Sequence, residues 1–189
     1  MTFATHCMAQ EIVPLTYGPL VSMTSTTLIS KPDFVDQIAG AGYNVGAFVR
    51  MKLLFLYAQG EASFGSKSAS VTVIDTGDYS NVTFKLKGMD VSVLIGLKLF
   101  GLRDLGNFRV FAGYNWNNYS DISYSIDGNK FEASNVNSNN HSLVAGIGID
   151  LSKLAFDLRY LQGFIDLTSS GATDVESRIV NFTVAYKIK

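Results

Sequence analysis

The chain has 189 residues, 15 basic against 16 acidic side chains and a single cysteine, which gives no charge footprint for nucleic acid and excludes an internal disulfide or a cysteine-cluster metal site. Hydrophobic residues reach 47% and charged residues only 16%, a more apolar balance than soluble domains have. Yet no stretch reaches the roughly 18 uninterrupted apolar residues of a membrane helix, so the composition favours a membrane β-barrel, which spreads its lipid face over alternate residues.

The N-terminal segment resembles the end of a secretory signal peptide. Cys7 and Ala9 precede Gln10 at the spacing of small residues before a signal-peptidase cut. We therefore expect residues 1–9 to be a signal-peptide remnant and residues 10–189 to form one outer-membrane β-barrel domain.

Alternation of apolar and polar residues with a period of two runs through the rest of the chain, and no window has helical periodicity. This pattern predicts strands rather than helices. In chain order, we place eight strands near residues 18–28, 42–50, 53–64, 82–99, 108–119, 141–151, 154–164 and 178–188.

The connections between these strands are alternately short and long. The short ones are "MK", "FGLRDLGN" and "SK", whereas residues 29–41, 65–81, 120–140 and 165–177 are longer and polar. In an up-and-down barrel this order places the short turns and both termini at one rim and the long loops at the other. The sequence therefore predicts an all-β fold, an eight-stranded antiparallel up-and-down transmembrane β-barrel.

One face of the predicted strands is large and apolar, and the other mixes glycine, asparagine, serine and isolated charges. A soluble barrel would carry many Lys, Glu and Thr residues on its water-facing side, and glycine there would weaken the strands. The narrow interior of an eight-stranded barrel suits the mixed face instead. We therefore expect these side chains to face lipid: Val91, Val93, Ile95, Leu97, Ile147, Ile149, Phe156, Leu158, Val180, Phe182 and Val184.

The same alternation turns a set of charged residues inward. Opposite charges in a poorly hydrated lumen must pair, because an unpaired buried charge costs several kcal/mol. We expect a structural salt-bridge network that plugs the barrel, in which Asp150 and Asp157 face Arg109, Arg159 or Arg50. The predicted members are Arg50, Glu61, Asp90, Lys98, Arg109, Asp150, Asp157, Arg159 and Lys187.

Five stretches resemble the outer-membrane β-barrel domain proteins, often called the porin family, that are abundant in Bacteroidetes. They are "AGYNVGAFVRMKLLFLYAQGEASFG", "DVSVLIGLKLFG", "FRVFAGYN", "GIGIDLSKLAFDLRYLQGF" and "SRIVNFTVAYKIK". The resemblance implies a small eight-stranded barrel in the bacterial outer membrane, without shared catalytic residues.

The sequence offers little catalytic chemistry. His141 and Ser142 are the one candidate pair for an acyl-transfer site, but adjacent strand residues point to opposite faces. We therefore predict that the chain is not an enzyme and binds no cofactor, metal ion or nucleic acid.

The functional prediction is an integral outer-membrane barrel with a structural or surface-interaction role. We expect a monomer surrounded by outer-membrane lipid, with polar loops that meet an extracellular ligand or protein and a lumen largely plugged by charged side chains. Two alternatives are a small-solute or ion pore and a soluble lipocalin-like ligand-binding barrel.

Overall fold

The computed structural model describes residues 14–30, 38–75, 78–101, 106–126, 129–132, 139–163 and 175–189. Residues 1–9 lie outside this set, so the predicted signal-peptide remnant does too. Within the described part of the chain, no helix is both long and apolar enough to cross a membrane. The strands are β1 (Leu15–Ser30), β2 (Ile38–Leu53), β3 (Leu56–Asp75), β4 (Asp78–Gly101), β5 (Asn107–Ile126), β6 (Asn129–Glu132), β7 (Asn139–Leu151), β8 (Leu154–Gly163) and β9 (Val175–Tyr186).

Eight of these strands close into an antiparallel barrel. The order around it is β4, β3, β2, β1, β9, β8, β7 and β5, and pairing of β4 with β5 completes the circle. The short strand β6 pairs with the far end of β5, beyond the point where β7 ends. Closure satisfies the backbone groups that an open sheet would leave at its edges. The predicted eight-stranded, all-β, up-and-down architecture is thereby confirmed.

Tight turns define one rim of the barrel. Strands β7 and β8 are joined by Ser152 and Lys153, as predicted, and Ser152 has a φ of 49°. The turn between β2 and β3 was expected at "MK" (residues 51–52) but lies at Leu54 and Phe55, with a φ of 53° at Leu54. Two-residue hairpin loops require such positive φ values. The prediction was wrong because the strand alternation of β2 continues through Lys52 to the end of the strand.

At the opposite rim, two segments predicted as loops contain strand. Within residues 65–81, β3 continues to Asp75 and β4 begins at Asp78, and within residues 120–140, β5 continues to Ile126 and is followed by β6. The run "VTVI" at residues 71–74 is rich in β-branched side chains, which favour strands, and it pairs with β4 throughout. The other two predicted loops, residues 29–41 and 165–177, also contain strand at residues 29–30, 38–41 and 175–177, and the rest of both lies outside the described residues.

Burial alternates along each barrel strand, so the barrel has distinct inner and outer faces. In β7, Ser142, Val144 and Asp150 are buried whereas Leu143 and Ile147 are exposed. Of the eleven apolar positions predicted to face away from the lumen, Val93, Ile95, Leu97, Ile147, Leu158, Val180 and Phe182 are exposed and Val91, Ile149, Phe156 and Val184 are half-buried.

The interior also contains apolar side chains that the sequence analysis did not anticipate. The inward positions were expected to be mostly small or charged, but large side chains pack among them. One buried cluster consists of Tyr57, Leu94, Phe111, Val144, Leu161 and Ile179, and a second of Leu20, Phe48, Ala155 and Ala185. The guanidinium carbons of Arg50 and Arg109 lie 5.5 and 6.0 Å from the ring centroids of Phe48 and Phe111, so charged groups of the lumen pack against apolar neighbours.

Candidate functional site

A closed ring of seven side chains lies inside the barrel. Five strands supply it, and each member occupies an inward position of its strand. Three arginines face three carboxylates, so the formal charges of the ring balance. Its members are Arg50 on β2, Gln59 and Glu61 on β3, Arg109 on β5, Asp150 on β7, and Asp157 and Arg159 on β8.

The two aspartates link the three arginines on one side of the ring. Asp150 accepts a hydrogen bond of 3.1 Å from Arg50 Nη1, and its Oδ2 lies 3.0 Å from Arg109 Nε. Asp157 accepts a bond of 2.6 Å from Arg109 Nη2 and one of 2.8 Å from Arg159 Nη2. Each aspartate therefore bridges two guanidinium groups.

Glu61 and Gln59 close the ring. Arg159 makes a two-pronged contact with Glu61, in which Nη1 and Nη2 donate at 2.6 and 2.7 Å. Gln59 Nε2 donates to Glu61, and Arg50 Nε donates to Gln59 Oε1 at 2.5 Å. Charge-assisted bonds with this forked geometry are the strong ones in proteins.

The ring crosses the lumen twice. Arg50 on β2 meets Asp150 on β7, and these strands have β3, β4 and β5 between them on one side and β1, β9 and β8 on the other. The Glu61 and Arg159 pair joins β3 to β8, which also lie on opposite walls. Arg50 and Arg109 are each 0% exposed. Because both crossing contacts are direct, the side chains themselves span the interior at this level.

Tyr57 contacts two arginines of the ring, and Gly148 leaves space for the ring because it has no side chain. The Tyr57 hydroxyl accepts a bond of 3.0 Å from Arg109 Nη1, and its ring centroid lies 5.0 Å from Arg50 Cζ and 5.4 Å from Arg109 Cζ. A Cβ atom on Gly148 would lie 2.9 Å from Arg109 Nη2 and closer still to Asp157. Cation–π contacts with Tyr57 and the missing side chain at Gly148 therefore let the arginines of the ring lie close to their neighbours.

A second, smaller charged cluster contains Lys67 and Asp90. Lys67 Nζ lies 3.2 Å from Asp90 Oδ2, and Asn44 Nδ2 donates to the same oxygen at 2.6 Å. Asn117 also donates to Asp90, and Lys67 Nζ lies 5.5 Å from the centroid of the Tyr119 ring. The sequence analysis missed Lys67 because it assigned residues 65–81 to a loop. The alternation of Glu61, Ser63 and Lys67 on one parity was the signal that could have found it.

The space between the ring and this cluster is small. A luminal cavity of about 30 Å³ has Glu61, Arg159, Lys67 and Asp90 in its walls. A polar cavity of this size has room for about two ordered water molecules. The space left beside these side chains is therefore small.

Not all nine charged residues predicted for the lumen join the ring. Six do, and Asp90 belongs to the second cluster. Lys98 and Lys187 are half-buried at the short-turn end, where Lys187 Nζ lies 3.7 Å from Asp150 Oδ1. Burial lowers the pKa of Lys187, which follows the last residue of β9, and the nearby Asp150 opposes this shift. Gln59, Tyr57 and Asn117 also contact these charged side chains and were not among the predicted members of the network.

The one candidate catalytic pair is not brought together. His141 is exposed on the outer face, where Tyr114 lies 2.5 Å away across a hydrogen bond, while Ser142 is buried inside. Among the residues that the structure describes, no group of three or more His, Cys, Asp or Glu side chains could hold a metal ion.

Comparison with protein families matches residues 8–169 to the outer membrane protein beta-barrel domain. The chain belongs to this family. It is therefore an outer-membrane β-barrel protein of a bacterial cell, and its strands form the predicted transmembrane barrel. A protein of the outer membrane is not a soluble barrel, so the lipocalin-like alternative was wrong. A search of the curated proteins found no match.

Solved outer-membrane barrels share the fold. Ail, the attachment invasion locus protein of Yersinia pestis, solved with the heparin analogue sucrose octasulfate, aligns with a TM-score of 0.51 and 11% identity, covering 92% of this chain and 99% of Ail. Neisserial surface protein A (NspA) aligns with a TM-score of 0.57 and 10% identity, covering 93% of this chain and 99% of NspA. At such low identity the likeness concerns the fold alone.

Proposed function

We propose that this protein is a surface-interaction barrel whose lumen is closed, rather than a pore or an enzyme. The single observation that carries the proposal is the closed ring of seven side chains, with its two contacts between opposite walls. The interior of an eight-stranded barrel is just wide enough for side chains to fill. A permeating ion would have to break at least one of these buried pairs.

In this proposal, the outer apolar face contacts outer-membrane lipid and the barrel is a monomer. Exposed Val93 and Ile95 lie on β4 and exposed Ile147 lies on β7, the two strands that flank β5 in the barrel. Side chains of this kind are stable in hydrocarbon, whereas a continuous apolar surface in water would aggregate. The separation of His141 from Ser142 supports a role without enzymatic activity. The proposal includes the expected kinship with the Bacteroidetes porin-family type.

In this proposal, an extracellular ligand or protein binds at the end of the barrel where β3, β4 and β5 extend past their neighbours. The pairing of β4 with β5 continues to Val82 and Ile126, whereas that of β5 with β7 ends at Asn118 and Asn139. Exposed Lys87 lies on this extension. The heparin analogue bound to Ail is a precedent for ligand binding by a barrel of this fold.

Planar-bilayer recording tests the closed lumen. The natural chain is expected to be silent, because the ring spans the interior. A variant carrying Arg50→Ser and Glu61→Ser removes one partner from each crossing contact and leaves the net charge unchanged. We expect it to show discrete conductance steps.

The matched control carries Lys87→Ser and Asp121→Ser, which removes the exposed pair whose atoms lie 3.7 Å apart and also preserves net charge. It should stay silent, and a heat-dependent shift on gels should show that all three proteins are folded. Steps in the natural chain would favour the pore alternative. Silence in the Arg50 and Glu61 variant would mean that the ring is not what closes the lumen.

A further inference from the structure

The turn between β2 and β3 exposes four consecutive apolar side chains, Leu53 to Leu56, which we call the apolar turn. Its two tip residues are the most exposed, Leu54 at 92% and Phe55 at 59%. A two-residue hairpin turn with a positive φ at its first position normally has glycine there, whereas Leu54 takes a φ of 53°. Backbone preference therefore does not explain the leucine, and contact with water opposes it.

The apolar turn is continuous with the outer face of the barrel. Exposed Met51 lies opposite exposed Leu15 on β1, and Leu56 lies opposite exposed Leu97 on β4. Along β2, the outward positions from Tyr43 to the turn are apolar, a run about as long as the 9–11 residues that a transmembrane strand needs. The tip therefore extends the apolar outer surface beyond the end of the strand.

The two lysines that flank the apolar turn belong to the inner face. Lys52 precedes the turn, and the backbone N–H of Lys98 on β4 donates to the carbonyl of Phe55 at 2.8 Å. Both lysines are half-buried at inward positions of their strands, and Lys98 interacts with Lys52, Asp150 and Arg50 at the mouth of the lumen. In the described part of the chain, the outer side of this turn is thus left to apolar side chains.

The turn between β7 and β8 is the polar counterpart of the apolar turn. It also has two residues, exposed Ser152 and Lys153, and Ser152 takes a φ of 49°. Strands β2 and β7 lie on opposite walls of the barrel. The short-turn rim is therefore apolar on one side and polar on the other, although the two turns have the same length and the same positive φ at their first residue.

We propose that Leu54 and Phe55 insert into the bilayer leaflet at the short-turn rim and anchor this side of the barrel in lipid. Ser152 and Lys153 stay in water, so the β2–β3 side of the rim lies deeper in the bilayer than the β7–β8 side. The inference rests on the proposed lipid-facing surface and extends it to a turn. Short turns of outer-membrane barrels ordinarily lie in the periplasm.

Continuity with the outer face favours lipid over a soluble protein as the partner of the apolar turn. A stable protein interface uses about 20–30 residues on each side and has a polar rim. The tip offers two residues, and the apolar side chains next to it belong to the surface that the bilayer covers. Apolar side chains at a membrane surface sink about 5–10 Å into the boundary between headgroups and acyl chains, a depth that suits a two-residue tip.

Spin labels on the two turns test the anchor. Single cysteines replace Leu54 and Ser152, the first residue of each turn, in a Cys7→Ser background, and the labelled full chains are inserted into phosphatidylcholine vesicles. Oxygen concentrates in hydrocarbon, whereas a water-soluble nickel chelate is excluded from it. We expect the ratio of oxygen to nickel collisions to be several-fold higher at Leu54 than at Ser152. Labels at Phe55 and Lys153 repeat the comparison.

A charge at the tip should withdraw it from lipid. We expect Phe55→Asp to lower the ratio at the Leu54 label to near that at Ser152, while the matched Lys153→Asp leaves the Leu54 label unchanged. A heat-dependent shift on gels identifies the folded barrels that are compared.

Equal ratios at Leu54 and Ser152 in the otherwise natural chain would overturn the proposal, because the tip would then lie in water. Rare collisions with both reagents at Leu54 would also overturn it, since protein, such as a second copy, would then cover the tip. A label at Ile147 separates this inference from the proposed function. Oxygen-rich collisions at Ile147 with nickel-rich collisions at Leu54 would count only against the anchor, whereas nickel-rich collisions at both would count against the lipid-facing surface itself.

Discussion

Asp157 illustrates how each charged residue of the ring depends on the others. Its two oxygens accept from Arg109 and Arg159, and its side chain is almost fully buried. A buried ion pair gains little over an apolar pair, but removal of one partner is costly because the remaining charge stays buried. Loss of the Asp157 charge should therefore affect two buried guanidinium groups at once.

Asp157→Asn tests this dependence with little change of shape. We expect the free energy of unfolding to fall by about 3 kcal/mol, because Arg109 and Arg159 lose the charge that they share. Urea unfolding in lipid vesicles, followed by Trp116 fluorescence, measures the change. Asp121→Asn is the control: its pair with Lys87 is exposed and should contribute less than about 0.5 kcal/mol. Equal losses in the two variants would show that the ring is not a coupled unit.

For single residues, the sequence indicated the face of the strand on which a side chain lies better than it indicated which residues that side chain contacts. Alternation placed Arg109 and Asp157 inside, because successive side chains of a strand point to opposite faces. It left open which of Arg109, Arg159 and Arg50 each aspartate faces. Arg50 and Asp150, for example, are 100 positions apart and meet only through the register of several strands. Gln59 was not predicted as a member of the ring, because a neutral side chain does not need an oppositely charged partner and so gives no sign of one in the sequence.

At the scale of the strands, the outer face is apolar for most of the length of each barrel strand. In β7, Leu143, Ala145, Ile147 and Leu151 share the outward parity. Ile147 lies near the middle of the strand and Leu151 is its last residue. If this face meets lipid, the cost of a charge should depend on its depth.

Ile147→Arg and Leu151→Arg measure that depth dependence on one strand. A charge on the lipid face costs about 2 to 4 kcal/mol at the midplane and about 0 to 1 near the interfaces. We therefore expect Ile147→Arg to lower the free energy of unfolding by several times more than Leu151→Arg. The same urea titration applies. A loss that is equal at both positions would speak against a bilayer around β7.

Strand positions could be predicted from alternation, but strand ends could not. The turn at Leu54 and Phe55 contains large apolar residues, which carry no turn signal, so position 51–52 was preferred on the polarity of Lys52. Conversely, the polar composition of residues 65–81 indicated a loop, although continued pairing with β4 satisfies the backbone there. Tertiary pairing outweighed local composition in both cases.

At the scale of the whole molecule, the two faces of one sheet differ in character. The outer apolar face is expected to meet hydrocarbon, and the inner face holds charges that neutralise one another. The closed barrel could be predicted because alternation persists over most of the chain, and the family was indicated by the resemblance of five stretches of the sequence. A lumen plugged by charged side chains was also expected, but the contacts of Tyr57, Leu94 and Phe111 inside it could not be predicted, because these side chains come together only once the strands are in register.

Spin-label accessibility along the barrel tests the central claim that hydrocarbon surrounds the outer face. Single cysteines at Ile147 and Val180, and at inward Ser142 and Thr183, are labelled in a Cys7→Ser background in lipid vesicles. We predict that labels at Ile147 and Val180 collide often with dissolved oxygen and rarely with a water-soluble nickel chelate, and that labels at Ser142 and Thr183 collide rarely with both. Frequent collisions of the nickel chelate at Ile147 and Val180 would contradict the account.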